Sequence, residues 1–142
     1  MSFGPVTPSV EELMHHVVSV CLYRGNWVLA DATEAGAPVA TWPTPEEAPP
    51  TGLTSGDVVA LRPAAGADAG AEDVIVFFHG GTNLSVASFR LEEGTAIPWD
   101  SAAHGPVAGA LNTAPISVAP LTPPAYGDVV VVDKYGVAIV QV

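Results

Sequence analysis

Ionic side chains are scarce in this chain. It carries 4 Lys and Arg against 15 Asp and Glu in 142 residues, a formal net charge of −11, and only 13% of its residues are charged. Soluble domains usually run near about 25%. The four cations, Arg24, Arg62, Arg90 and Lys134, are scattered along the sequence. Nucleic-acid binding needs clustered cations that displace counterions from phosphates, so this partner class is excluded. The same shortage disfavours anionic membrane surfaces. Cysteine is almost absent: Cys21 alone permits neither an intrachain disulfide nor a cysteine-based zinc site. It sits in the apolar run Val17 to Leu22 and reads as a small buried hydrophobe. No apolar run approaches the roughly 20 residues of a membrane span. Met1 to Pro8 has no basic run, so no signal peptide is expected, and the chain should be soluble and made in the cytoplasm.

What the chain does have is apolar residues, 49% of the total, with 14 Gly and 14 Pro. Its length suits one domain with a single core. Met1 to Pro8 reads as an extended arm because Gly4, Pro5 and Pro8 disfavour helix. Residues 9–142 then form one β-rich domain. Ser9 and Glu12 make a capping box, and Val10, Leu13, Met14 and Val17 share one helical face, predicting a helix of about two turns. The β-branched residues after it predict strand over Val18 to Tyr23, in a hairpin with Trp27 to Asp31 around Arg24-Gly25-Asn26.

Residues 33–56 read as a connection. Pro43, Pro45, Pro49 and Pro50 make Thr41 to Thr54 a stiff extended segment, in which Trp42 either anchors the loop or meets a partner. Strands follow at Asp57 to Arg62, Asp73 to Phe78 and Leu84 to Leu91. Weaker ones fall at Ala96-Ile97, Val107 to Leu111 and Ile116 to Ala119. The clearest hairpin is last: Asp128 to Val132 and Val137 to Val142 flank Asp133-Lys134-Tyr135-Gly136, and both strands are apolar on both faces, which places them centrally. Strands that follow strands imply antiparallel pairing. The expected fold is mainly β, an antiparallel β-sandwich or small β-barrel with one short N-terminal helix and an extended N-terminal arm.

Few residues suggest chemistry. Val74 to Gly81 (VIVFFHGG) resembles the strand-plus-HGG segment of lipase and esterase α/β-hydrolases, whose backbone N–H groups help to stabilise an oxyanion. The resemblance spans about eight residues. The G-x-S-x-G nucleophile elbow of that family is missing. His15, His16, His79 and His104 do not fall at metal-ligand spacings, and neither cofactor nor metal is expected. Trp27, Trp42 and Trp99 could line a glycan platform, but such residues more often anchor cores or interfaces.

A chain of this size has most residues near its surface, and 13% charge cannot coat that surface in the usual way. Interfaces are poor in Lys, Glu and Asp at their centres. The expected function is therefore non-enzymatic: a structural subunit of a symmetric assembly, binding copies of itself and a capsid or similar partner. The most concrete version is a tailed-phage virion protein such as a capsid decoration protein. Interface candidates are Phe3, Pro5, Trp42 and Trp99. The alternative is a small β-sandwich module that recognises a glycan or peptide, and the third is a hydrolase using His79.

Overall fold

A computed structural model describes residues 2–3, 9–64, 71–92, 99–100, 105–106, 116–120, 128–132 and 137–141. The elements in chain order are β1 (Ser2–Phe3), α1 (Val10–Arg24), β2 (Trp27–Glu34), β3 (Ala37–Pro38), β4 (Val58–Pro63), β5 (Ala71–His79) and β6 (Leu84–Glu92), then β7 (Trp99–Asp100), β8 (Gly105–Pro106), β9 (Ile116–Val118), β10 (Asp128–Val132) and β11 (Val137–Gln141). The fold is mainly β with antiparallel pairing and one N-terminal helix, as the sequence predicts. A six-stranded sheet has the order β3-β2-β4-β5-β6-β9, a three-stranded sheet the order β1-β10-β11, and β7 pairs with β8.

The helix departs from the sequence expectation. Ser9 caps it as predicted: its backbone is extended, and its hydroxyl accepts the Glu12 N–H at 3.2 Å. But α1 runs for 15 residues and absorbs Val18 to Tyr23, so the predicted strand and its hairpin at Arg24-Gly25-Asn26 do not exist. Every residue from Leu13 to Cys21 is buried. Strand propensity is worth a few tenths of a kcal/mol per residue, whereas burying each large aliphatic side chain stabilises by about 1.5–3 kcal/mol, so packing wins.

From Leu13 to Cys21 the helix is buried all round because different elements cover its sides. Val59 and Leu61 of β4, Ile75 and Phe77 of β5 and Leu84 of β6 form one core cluster with Leu13, Met14, Val17 and Cys21. The helix also contacts β10, and Ile139 of β11 packs on the same cluster. The other face of the central sheet is buried as well: Val58, Ala60, Val74, Val76 and Phe89 make a second cluster, beside an ion pair between Arg62 and Glu72.

The terminal hairpin has the expected partners, with Val132 opposite Val137. It is not in the six-stranded sheet, however. It builds the smaller sheet, in which β10 is the middle strand, and Ser2 and Phe3 of the arm pair with Val130 and Val129. β2 runs past its predicted end at Asp31 to reach Glu34, and β3 lies inside the predicted 33–56 connection. The predicted strands at Ala96-Ile97 and Val107 to Leu111 fall outside the described residues.

Candidate functional site

The proline-rich segment that follows β3 lies against α1 as a strap. Three helix side chains one turn apart (His15, Ser19 and Tyr23) reach three consecutive backbone carbonyls. His15 Nε2 bonds to Thr44 O at 3.0 Å, Ser19 Oγ donates to Pro43 O at 2.7 Å, and the Tyr23 hydroxyl donates to Trp42 O. Residues at i, i+4 and i+8 share one helix ridge, and an extended chain offers a carbonyl at every residue. Trp42 closes the clasp. Its ring is 3% exposed, and its Nε1–H donates to Ser19 Oγ at 3.1 Å. The hydroxyl of Ser19 thus accepts from the indole and donates to Pro43 O. Beyond the clasp, the Glu47 carboxylate accepts the Thr44 N–H at 3.0 Å and the Glu47 N–H returns to Thr44 O at 3.1 Å. Burial lowers the pKa of His15, with the bond to Thr44 O opposing it, so the ring is held neutral as a donor.

A second polar knot sits at the far end of the strap. Asp57 is buried, and its carboxylate accepts four bonds: from Thr33 Oγ1 at 3.0 Å, Ala35 N–H at 2.8 Å, Gly36 N–H at 2.9 Å and Thr54 N–H at 2.9 Å. Burial alone would raise this carboxyl, but the four donors together hold it below its usual range. The turn they clamp is the two-residue connection between β2 and β3. Its central residues, Ala35 and Gly36, have φ of 52° and 79°. Both positions of this hairpin type need positive φ, which costs an alanine about 1 kcal/mol or more.

The clamp sets the position of Glu34. Its side chain lies over Gly52, where a Cβ would come within 3.0 Å of Glu34 Cγ. Glu34 lines a surface recess of about 580 Å³ together with Tyr23, Trp42, Glu47, Pro49 and Pro50. Tyr23 is 52% exposed there. Among the described residues, no Lys or Arg lines the recess.

His79 and Cys21 are engaged inside the fold. His79 is buried; its Nδ1 accepts the Gly81 N–H at 3.0 Å and its Nε2 lies 2.8 Å from Glu11 Oε1. A ring nitrogen that accepts carries no proton, so Nε2 is the protonated one and donates to the carboxylate. Burial raises the Glu11 carboxyl, but the bond from His79 and backbone donors outweigh it and the pKa is lowered. Burial pushes the Cys21 thiol up to about 12, which removes its nucleophilic form at neutral pH. Among the described residues, no group of three or more His, Cys, Asp or Glu could hold a metal ion, and no helix is long and apolar enough to cross a membrane.

Of the four interface candidates, Trp42 takes the anchoring role: its ring faces the core and offers no platform to a sugar. Phe3 pairs through its backbone in β1, Trp99 lies in β7, and Pro5 is outside the described residues. Among the described residues, the large apolar ones that are exposed are Tyr23, Val28 and Ile116. Sequence reasoning missed Glu34, Tyr23, Asp57 and Ile116. The pair Ala35-Gly36 between short apolar runs was a usable turn signal for Glu34. Compared with protein-family models, curated proteins and solved structures, the chain matches none, and its function is read from this geometry alone.

Proposed function

We propose that the chain is a non-enzymatic structural subunit of a symmetric protein assembly, most concretely a tailed-phage virion protein such as a capsid decoration protein. The observation that carries this reading is the outer edge of β9. Ile116 there is 64% exposed, and Ser117 and Ala119 beside it are exposed too. From residue 101 to 127 the sequence has no Asp, Glu, Lys or Arg. A solitary protein normally guards an edge strand with charge or a bulge, because unpaired backbone groups template pairing with another chain. Here Pro115 and Pro120 limit the edge to a short stretch without charging it. Pairing of β9 with its own copy would be antiparallel and two-fold, the commonest closed symmetry.

The test is native mass across a range of concentrations, for the chain alone and with capsid shells. A discrete oligomer, or saturable binding to shells, is expected. A chain that stays monomeric at high concentration and ignores shells is inconsistent with the proposal.

A further inference from the structure

We propose that the recess between the strap and the end of β2 receives an arginine side chain presented by a partner protein. The first observation is an unanswered charge. Glu34 is half-buried and, among the described residues, its carboxylate makes no hydrogen bond or ion pair. Among the described residues every arginine is already engaged: Arg24 pairs with Glu46, Arg62 with Glu72 and Arg90 with Asp73. A carboxylate partly removed from water gains by meeting a counter-charge.

The second observation is that this carboxylate is placed at a cost. Its turn holds an alanine at positive φ, the two turn N–H groups donate to Asp57, and Gly52 leaves the space in which its side chain lies. Strain that the surroundings enforce is a mark of functional positioning. The third is the recess itself. Its volume lies within the usual range for ligand sites. The Tyr23 ring is tethered through its hydroxyl and so keeps its exposed surface in the wall, next to Pro49 and Pro50. Glu47 adds a second negative charge. A planar guanidinium can bond a carboxylate with two N–H groups while stacking on an aromatic ring, which an ammonium cannot do. The net charge of −11 steers a basic segment toward the protein. This contact does not depend on the assembly reading, since a monomer would bind as well.

The experiment titrates the isotope-labelled full chain with the peptide acetyl-Gly-Arg-Pro-Gly-amide and follows amide and indole resonances. Parallel titrations replace Arg by citrulline, its neutral counterpart, or by Lys. Saturable shifts at Tyr23, Glu34 and the Trp42 indole are expected with the arginine peptide and none with citrulline. Glu34→Gln should weaken binding about fivefold, and Gly52→Ala, which keeps the charge but displaces the carboxylate, should do the same. Asp31→Asn, which removes an equal charge at an exposed site outside the recess, should leave affinity unchanged. Equal binding of the citrulline or lysine peptide overturns the proposal. So do shifts scattered over the acidic surface, or a Glu34→Gln affinity equal to that of the parent chain.

Discussion

The two ends of the six-stranded sheet are finished in different ways. At the β2 end the edge carries a bulge between Leu29 and Asp31, an exposed aspartate, a clamped hairpin to β3, and a strap bonded to the helix behind it. At the β9 end three residues finish the sheet with no charge and a large apolar side chain in the open. Charge and a bulge guard one end, whereas the other is limited only by its shortness and its flanking prolines. The contrast separates two kinds of surface. The guarded end offers side chains in a shaped recess, and the unguarded end offers backbone.

This contrast can be attacked from either side. The largest effect should come from Trp42→Ala, which removes the anchor of the guarded end. Stability should fall by about 3–5 kcal/mol in denaturant unfolding, a typical cost for a buried tryptophan. A loss under about 1 kcal/mol would mean that the strap is not part of the cooperative core. At the other end, Ile116→Lys should weaken any self-association about tenfold or more while stability stays within about 0.5 kcal/mol, because the side chain is already in water. Unchanged association would leave the β9 edge without a role. Ala35→Gly should stabilise the fold by about 0.5 kcal/mol, since relief of the positive φ slightly exceeds the entropy lost by glycine.

The smallest effect should be a shallow pH dependence. Burial holds His15 below its ordinary value of 6.5, so the unfolded chain takes up that proton first. Stability from this site is complete above pH 6.5 and declines as pH falls from there toward the lower folded value. His15→Gln keeps a donor for Thr44 O and should flatten the melting temperature between pH 7 and pH 5. Asp57 and Glu11 have lowered carboxyl values, so their contributions are lost only in stronger acid, below their ordinary values of 3.8 and 4.5.

Much of the scaffold was legible in the residues. The Ser9 cap, the strands at Asp57 to Arg62, Asp73 to Phe78 and Leu84 to Leu91, and the pairing across Asp133 to Gly136 all follow from local pattern, and the structure agrees within a few residues. What was not legible depends on distant contacts. Val17-Val18-Ser19-Val20 looks like strand until a sheet, a second sheet and a strap enclose it. Trp42 had two open roles until Ser19 was found beneath its indole. Asp57 looked like the polar start of a strand, and only the fold brings the turn at Ala35-Gly36 onto its oxygens. Glu34 stood among several acids, with nothing local to show that its side chain would line a recess.

The clasp on α1 also decides how this flank can meet another molecule. The carbonyls of Trp42, Pro43 and Thr44 are turned inward to the helix, and Pro43 and Pro45 have no N–H to give. With the Thr44 N–H also taken by Glu47, that stretch of main chain has little left with which to extend a sheet. A visitor arriving there can read only ring faces and carboxylates, so exchanging single exposed residues in the strap would retune what is recognised while the scaffold beneath stays as it is.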